Sequence, residues 1–304
     1  MTTILVTGGA GFIGSHVVDM LVDRGCKVIV ADSLVTGYLS NVNRSAFFVN
    51  VDISDTNLSR VFEEHSNISA VIHLAAQASV SVSWARPILD LRANGIGILN
   101  LLECCRQYGV GHFLFASSAA VYGDSALVPI PETAPISLQS PYALTKYLGE
   151  GYVRLYKREY GIRTCVMRFA NVYGPRQRHD GEAGVVAIFA EATRNERKIE
   201  IHGDGLQTRD FIYVGDVVHA IGQALERKAG GDYNIGTGTQ TSILDLYGII
   251  TSVSGVAGEP QFVNARPGDI RASALNCEKA VRELAWRAQT DLKSGLRRTM
   301  SAIS

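Results

Sequence analysis

The fold is decided by the stretch Ile4-Leu5-Val6-Thr7-Gly8-Gly9-Ala10-Gly11-Phe12-Ile13-Gly14-Ser15. A short apolar run leads into a turn in which Gly8, Gly11 and Gly14 recur every third residue. Apolar residues at helical spacing follow as far as Leu21, and Gly25 marks the end of that segment. The stretch therefore predicts a strand, a tight turn and a helix.

A turn of this kind suits a bulky anion. Glycine adopts backbone angles closed to other residues and lets the chain approach a ligand closely. The helix N-terminus then presents amide groups and a partial positive charge, for which a dinucleotide pyrophosphate is the natural ligand. The next predicted strand, Lys27–Ala31, is followed by Asp32, the acidic residue expected about 20 residues on to bind a ribose diol.

Composition narrows the class of protein. The 304 residues are 46% hydrophobic and carry no formal net charge, enough for one large or two modest domains and unlike a nucleic-acid-binding surface. No apolar run reaches the roughly 20 residues that span a bilayer, and Met1 leads directly into a strand, so we expect no membrane segment and no signal peptide. Five scattered cysteines without metal-ligand spacing predict reduced thiols, no metal site and a cytoplasmic location.

The first half alternates apolar runs with helical patterns, which predicts an α/β fold: a doubly wound parallel sheet of the Rossmann type with helices on both faces. The predicted strands are Ile4–Thr7, Lys27–Ala31, Ala46–Asn50, Ala70–Leu74, Phe113–Ser117 and Arg163–Phe169. The predicted helices are Ile13–Asp23, Asn57–Glu64, Pro87–Tyr108 and Pro141–Tyr160.

The second half is less regular. We predict a loop over Asn171–Gly184, then a helix Val185–Arg194, a strand Lys198–His202, a helix Val214–Arg227, a strand Asp232–Ile235 that returns to the first sheet, a helix capped by Ser242 and Asp245, and helices opened by Asn276 and near Asp291–Ile303. This pattern predicts a cofactor domain over 1–170 and 211–236. A smaller mixed α/β substrate domain would cover 171–210 and 237–304, with its loops at the carboxyl edge of the sheet.

The stretch from Ser140 to Lys146 carries the clearest chemical signal. Tyr142 and Lys146 are four residues apart in a predicted helix and share a face, so an ammonium would favour the tyrosine phenolate. Such pairs are also common on ordinary helices. Ser118, at the carboxyl end of a predicted strand, could hydrogen-bond a substrate oxygen beside the tyrosine, or only begin a turn.

Taken together, these motifs resemble the extended short-chain dehydrogenase/reductases, and within them the NAD-dependent nucleotide-sugar epimerase/dehydratase family. The resemblance covers essentially the whole chain. Its motifs are Thr7–Gly14, Asp32, Asp52-Ile53, His73–Ala76, Asn94, Ser118, Tyr142 with Lys146, Arg168–Pro175, Gly203–Gly205 with Arg209–Phe211, and Arg266–Asp269.

The resemblance implies NAD as cofactor, with Asp32 disfavouring a 2′-phosphate, and Ser118, Tyr142 and Lys146 as catalytic residues. It assigns cofactor binding to Gly8, Gly11, Phe12, Ile13, Gly14, Asp32, Ser33, Leu34, Thr36, Gly37, Asp52, Ile53, Leu74, Ala75, Ala76, Gln77, Asn94, Ser117, Tyr142, Lys146 and Phe169. It assigns substrate binding to Ser118, Tyr142, Asn171, Val185, Val186, Glu200, Ile201, His202, Arg209, Arg266 and Asp269. Arginine forks suit a diphosphate.

The resemblance also narrows the reaction. Relatives that eliminate or decarboxylate carry an acidic residue just after the active-site hydroxyl, where this chain has Ala119 and Ala120. The chain is therefore similar to the 4-epimerases of UDP-hexoses, with UDP-glucose and UDP-galactose as expected substrates. UDP-GlcNAc stays an alternative, because Ser273 stands where the family has a gate beside the sugar and is small enough to leave room for an N-acetyl group. UDP-glucuronate stays an alternative, because Arg176 or Arg178 could meet its C6 carboxylate. More distant alternatives are a nucleotide-sugar reductase and a non-catalytic NAD-binding regulator. Relatives pair through a helix bundle, so a homodimer is expected.

Overall fold

A parallel sheet of seven strands forms the centre of the computed structural model, which describes residues 2–65, 67–178, 184–255, 258–265 and 269–303. In chain order the strands of the molecule are β1 Thr3–Thr7, β2 Lys27–Asp32, β3 Phe47–Asn50, β4 Ile68–His73, β5 His112–Ser118, β6 Arg163–Phe169, β7 Asn171–Tyr173, β8 Glu200–His202, β9 Thr208–Arg209, β10 Phe211–Tyr213, β11 Gly231–Ile235, β12 Thr241–Ser242 and β13 Gln261–Val263.

The α-helices are α1 Phe12–Asp23, α2 Ser59–Glu64, α3 Val80–Ala85, α4 Pro87–Leu91, α5 Gly97–Gln107, α6 Pro141–Tyr160, α7 Val185–Arg194, α8 Val214–Glu226, α9 Ile243–Ser254, α10 Glu278–Leu284 and α11 Leu292–Ile303. Within the described residues, each helix is too short or too polar to cross a bilayer.

The strand order of the large sheet is β11-β6-β5-β4-β1-β2-β3, with every neighbouring pair parallel. The chain builds outward from β1 to β3, then crosses back to β4 on the other side of β1. The order therefore reverses between β1 and β4. In open α/β sheets a crevice opens at that point, outside the carboxyl ends of the strands, and ligands bind there.

Both faces of this sheet are covered, as the sequence predicts. Successive side chains of a strand point to opposite faces, and along β1 Ile4 and Val6 pack with α1 and α8 while Leu5 packs on the side of α2, α5 and α6. The strand returning at Gly231–Ile235 pairs with β6, which confirms the predicted return to the first sheet.

The second half differs from the prediction in detail. The predicted loop over Asn171–Gly184 begins with a strand, because Asn171–Tyr173 pairs in parallel with Phe211–Tyr213, which lies too far along the chain for local patterns to reveal. Two further two-stranded sheets, β9 with β12 and β8 with β13, complete this part of the molecule. A separate apolar cluster beside them includes Phe189, Ile201 and Leu246.

Two helical details also differ. The structure has a helix at Val80–Ala85 that we did not predict, capped by the Ser79 hydroxyl, which accepts from the Val82 amide. The predicted helix Pro87–Tyr108 is interrupted by one π-helical turn at Arg92–Ile96. That turn carries Asn94, and it lies at the edge of the site described next.

Candidate active site

The glycine turn follows β1 at the point where the strand order reverses. Gly8 has a φ of +71°, and a Cβ there would stand 2.7 Å from the Ala75 amide nitrogen. A Cβ on Gly14 would stand 2.0 Å from the Gly8 carbonyl oxygen. Any other residue at these two positions would therefore force the neighbouring backbone to shift. Gly11 is the N-cap of α1 and offers no side chain to its first-turn amides, which leaves those amides available to an anion.

Asp32 ends β2 beside this turn and is mostly buried. One carboxylate oxygen accepts from the Ala10 amide at 2.9 Å and the other from the Leu34 amide at 2.8 Å. Gly37 packs so closely that a Cβ there would lie 2.9 Å from the Asp32 Oδ1 atom. A carboxylate has about four lone-pair sites, so Asp32 keeps acceptor capacity for a diol. Ser33 and Thr36, predicted with it, lie on the same loop.

Farther along the edge, Asp52 follows β3 and its carboxylate accepts from the Ser54 amide at 2.8 Å. Ile53 is buried against Gly97 of α5, where a Cβ would meet its side chain at 2.6 Å. Ile53 therefore belongs to the core, and its neighbour Asp52 is the half-buried polar group at this end.

The segment Leu74–Gln77 follows β4 and lies beside the glycine turn. The Leu74 amide donates to the Thr7 carbonyl oxygen, and the Ala75 amide donates to the Thr7 hydroxyl. Asn94 holds the far end of the segment, because its side chain accepts from the Gln77 amide and donates to the Gln77 carbonyl oxygen, both at 3.0 Å. The structure thus gives the side chain of Asn94, predicted to bind cofactor, a part in shaping the loop.

Ser118 is the last residue of β5, and Lys146 contacts the same strand two residues earlier. Ser118 is paired in register with Phe169, caps a short 3₁₀ helix at Ala119–Tyr122, and accepts from the Ala120 amide at 3.1 Å. The buried ammonium of Lys146 donates to the Ala116 carbonyl oxygen at 2.9 Å. This bond ties the start of α6 to the strand that carries Ser118.

Tyr142 and Lys146 share one face of α6, as predicted, with the ammonium 5.9 Å from the centre of the tyrosine ring. Burial raises the pKa of Tyr142 to about 12, and a hydrogen bond with Ser118 opposes that rise. Burial lowers the pKa of Lys146 to about 8, against the field of Asp90 and Glu150. Burial thus makes the lysine easier to deprotonate and the tyrosine harder.

A buried ionic network lies behind these three residues. Ser117, predicted to bind cofactor, donates its hydroxyl to Glu150 at 2.6 Å. Arg168 makes two hydrogen bonds to the same carboxylate, at 2.8 and 2.6 Å, and donates to the Tyr122 hydroxyl at 2.7 Å. Sequence reasoning missed Glu150, although its position four residues after Lys146 places it on the same helix face. The network fixes β5, β6 and α6 relative to one another.

Some of the residues predicted to bind substrate lie on the short strands of the second half, and others are part of its apolar cluster. Arg209 is on β9 and is ion-paired with Asp269, and it also donates to the Ile270 carbonyl oxygen at 2.6 Å. Asn171 is exposed at the start of β7, and Glu200, Ile201 and His202 form β8. The side chains of Ile201 and Val186 are buried in the apolar cluster beside the small sheets, and Val185 packs against it. Arg266 lies outside the described residues.

Arg176 and Arg178 lie near the cofactor loop. Arg176 pairs with Asp19 of α1 at 2.8 Å, and Arg178 donates to the Thr36 carbonyl oxygen at 3.3 Å and stacks over Tyr38. Neither contact involves the residues around Tyr142. The prediction that one of them meets a sugar carboxylate therefore gains no support.

The sheet is doubly wound, with a glycine turn at its switch point, and α6 carries a tyrosine–lysine pair. These features define the class of dinucleotide-dependent short-chain dehydrogenases/reductases. The family profile described as the NAD dependent epimerase/dehydratase family matches residues 4–236. This chain belongs to that family.

Individual relatives are similar over the full chain. The UDP-glucose 4-epimerase of Mycolicibacterium smegmatis is 41% identical over an alignment of 303 positions that covers 97% of this chain and 96% of the relative. The crystal structure of UDP-glucose 4-epimerase with UDP-glucose from Thermotoga maritima has a TM-score of 0.97 at 44% identity and covers 99% of this chain and 98% of its own. The Thermus thermophilus UDP-glucose 4-epimerase in complex with NAD has a TM-score of 0.93 at 41% identity, with coverage of 99% and 98%.

Proposed function

We propose that this chain is a 4-epimerase of UDP-hexoses that interconverts UDP-glucose and UDP-galactose. The observation that carries the proposal is the meeting of Ser118, Tyr142 and Lys146 at one strand end, followed by Ala119 and Ala120. A carboxylate at either alanine position would supply the acid or base for an elimination, and alanine cannot. The similarity to UDP-glucose 4-epimerases supports the same reaction.

The cofactor site fits NAD. Gly8 and Gly14 leave room that a Cβ would fill, and the first turn of α1 faces the pyrophosphate position with uncapped amides. Asp32 would hold the ribose diol and repel a 2′-phosphate, which favours NAD over NADP. NAD held at this site would supply the acceptor for the hydride from C4 of the sugar and the donor for its return.

The proton is handled by the protein. Tyr142 takes the proton of the C4 hydroxyl while Ser118 hydrogen-bonds the same oxygen, and Lys146 provides a positive charge beside the phenolate. The resulting 4-keto sugar turns over so that its opposite face is presented. Tyr142 then returns the proton to the C4 oxygen. No external reductant is consumed, so the cofactor can stay bound through the cycle.

The UDP group would be bound by the second half of the chain. We propose the cofactor domain over 1–170 and 211–236 and the substrate domain over 171–210 and 237–304. The separate apolar cluster around Phe189 and Leu246 supports this division. Arg209 and Asp269 both belong to the proposed substrate domain. The guanidinium of Arg209 is oriented by two carbonyl oxygens, and such a fork suits a diphosphate.

UDP-GlcNAc is a second candidate substrate. The Ser273 amide donates to the Thr208 carbonyl oxygen, so Ser273 lies close to Arg209, and its small side chain would leave room there for an N-acetyl group. UDP-glucuronate is less favoured, because Arg176 and Arg178 are engaged by Asp19 and the loop around Thr36. The complete Tyr142, Lys146 and Ser118 set disfavours a non-catalytic regulator, and Asp32 disfavours an NADPH-dependent reductase.

The decisive experiment replaces the base. Tyr142→Phe removes only the hydroxyl, so we expect turnover of UDP-galactose to fall at least about 100-fold, the lower range for loss of a general base. Bound NAD, measured after release from the purified protein, should stay at the wild-type level. A variant that still epimerises at the wild-type rate would refute the assignment.

We also propose a homodimer, and a cytoplasmic location to which the five free cysteines lend support. Large apolar side chains are exposed along α3, α4 and α6, with Trp84 65% and Ile88 77% exposed. Leu144, Leu148 and Leu155 continue this surface at helical spacing on α6. A contiguous apolar surface of this kind marks an interface, and a second copy would cover it with about 1,200–2,000 Å² buried in total.

The dimer is tested by a charge on that surface. Leu144→Glu should shift the protein to monomer in sedimentation velocity at micromolar concentration, because a carboxylate cannot be buried unpaired. Phe262→Glu is the matched control, since Phe262 is equally exposed but belongs to the small sheet of β8 and β13. A wild-type protein that sediments as a monomer would contradict the proposal.

A further inference from the structure

Asp90 is a fully buried carboxylate close to the site, and neither the motifs nor the mechanism above uses it. It accepts from the Gln77 side-chain amide at 2.7 Å, from the Asn94 side-chain amide at 3.1 Å and from the Thr145 hydroxyl at 2.6 Å. All three donors are neutral. Among the described residues, no ion pair includes Asp90.

A buried charge without a cationic partner is costly, so its position calls for an electrostatic reason. Thr145, which donates to Asp90, precedes Lys146 in the chain. Lys146 is buried too, and its own hydrogen bond goes to the neutral Ala116 carbonyl oxygen. The field of Asp90 acts on both catalytic side chains: it favours the ammonium of Lys146 and disfavours the phenolate of Tyr142.

The other titratable groups near this pair are compensated or neutral. Glu150, on α6, also favours the ammonium of Lys146, but its carboxylate is paired with two arginines, Arg168 and Arg154. His73, on β4, is held neutral because burial and the charge of Lys146 lower its pKa to about 3. Its Nδ1 atom is hydrogen-bonded to the Thr7 hydroxyl at 2.8 Å. Among the described charged groups that act on the tyrosine–lysine pair, Asp90 is therefore the carboxylate without a cationic partner.

We propose that Asp90 is a positioning residue of this active site, whose buried negative charge keeps Lys146 an ammonium and sets the pH range in which Tyr142 and Lys146 are catalytically competent. Its three hydrogen bonds also join the loop after β4, the π-helical turn and the start of α6. The kinetic consequence rests on the proposed epimerase function. The electrostatic consequence does not.

The test variant is Asp90→Asn, which keeps the shape and removes the charge. Its amide oxygen can still accept from Gln77 and Asn94. Its amide nitrogen can donate to the Thr145 hydroxyl, which then donates to the Tyr142 carbonyl oxygen, 3.1 Å away. Loss of a negative charge favours the deprotonated form of both catalytic groups, so both of their proton losses should move to lower pH.

In kinetics, activity requires a deprotonated Tyr142 and a protonated Lys146, so kcat/KM rises through the lower pKa and falls through the higher one. In Asp90→Asn both limbs should move to lower pH by about 0.5–1 unit, less than the 1–3 units of a charge in direct contact. Thr145→Val is the matched control: it breaks one hydrogen bond of Asp90 and keeps the charge. Its limbs should stay where the wild-type limbs lie, although its stability falls.

A second measurement does not depend on turnover. The phenolate absorbance of the NAD-loaded protein is titrated, and the curve of a matching Tyr142→Phe protein is subtracted to isolate Tyr142. Asp90→Asn, against its own double variant with Tyr142→Phe, should show a lower midpoint than wild type. If Asp90→Asn does not fold, Asp90→Ser, which also removes the charge, takes its place with the same expected direction.

An unchanged or higher midpoint would overturn the proposal, as would pH limbs that move equally in Thr145→Val. A wild-type protein that turns over no UDP-hexose would refute the epimerase function, and the titration would still decide the role of Asp90. A lowered midpoint in Asp90→Asn with unmoved limbs in Thr145→Val would support it.

Discussion

At the scale of single residues, burial is the main force on the catalytic pair. It moves the pKa of Tyr142 to about 12 and that of Lys146 to about 8, so each side chain is driven toward its neutral form. The charges needed for catalysis must therefore be supported by neighbours. Ser118 supports the phenolate, Asp90 and Glu150 support the ammonium, and a bound cationic nicotinamide adds support for the phenolate.

This balance predicts a pH signature for Lys146→Met, which preserves the length and apolar stem of the side chain. The wild-type profile of kcat/KM should be bell-shaped, since two groups must hold opposite protonation states. The variant keeps only Tyr142, so its rate should fall by about 10²–10⁴ and then only rise with pH. The measurement is UDP-galactose turnover from pH 6 to 10, with circular dichroism at each pH to confirm folding. A variant that keeps the alkaline fall while folded would contradict the role of Lys146.

At the scale of secondary-structure elements, the link between β1 and α1 depends on the closeness of backbones. Gly8 and Gly25 share left-handed angles, with φ of +71° and +74°, but only Gly8 has backbone atoms where a Cβ would stand. Comparing an alanine substitution at each glycine therefore separates the cost of backbone strain from the cost of a collision between backbones.

Gly25→Ala should cost about 1–2 kcal/mol of unfolding free energy, the strain of one left-handed residue, and leave NAD affinity unchanged. Gly8→Ala adds a collision with the Leu74–Ala75 segment, so it should be less stable than Gly25→Ala and bind NAD at least about tenfold more weakly. Chemical denaturation and calorimetric titration of stripped protein with NAD measure the two effects. Equal NAD affinity in both variants would show that the turn does not form the pyrophosphate site.

The elements that the sequence could predict are those whose signals are local. The strands of the large sheet and α6 have apolar periodicity or a Ser140 cap within their own residues, and the structure confirms them. The helix at Val80–Ala85 escaped because serine and valine alternate there, a pattern typical of strands. The strand Asn171–Tyr173 escaped because its pairing depends on residues about 40 positions later.

At the scale of the whole molecule, the same distinction applies to the site. Tyr142 and Lys146 could be predicted because they are one helical turn apart. Asp90 could not, since its contact with Thr145 spans 55 residues and depends on how α4 packs against α6. The role of Glu150 is visible only in the structure, because β6 places Arg168 beside its carboxylate. Charged groups that shift the pKa of catalytic side chains without contacting the substrate are positioned by tertiary packing. A single sequence records that packing only indirectly.

Substrate choice is also a property of the whole molecule, because the sugar would lie between the Tyr142 helix and the small sheets. Ser273 belongs to the segment beside β9: its amide donates to the Thr208 carbonyl oxygen at 3.2 Å, and its side chain is buried. A larger residue there would occupy space near Arg209.

We therefore expect Ser273→Tyr to lower kcat/KM for UDP-GalNAc at least about tenfold more than for UDP-galactose, a difference of about 1.4 kcal/mol that one steric contact can supply. Parallel assays with both substrates and with UDP-galacturonate measure this, and Ser273→Ala, which keeps the position small, serves as control. Equal losses on both sugars would place Ser273 away from the sugar, and strong wild-type activity on UDP-galacturonate would show that a cation other than Arg176 or Arg178 meets the carboxylate.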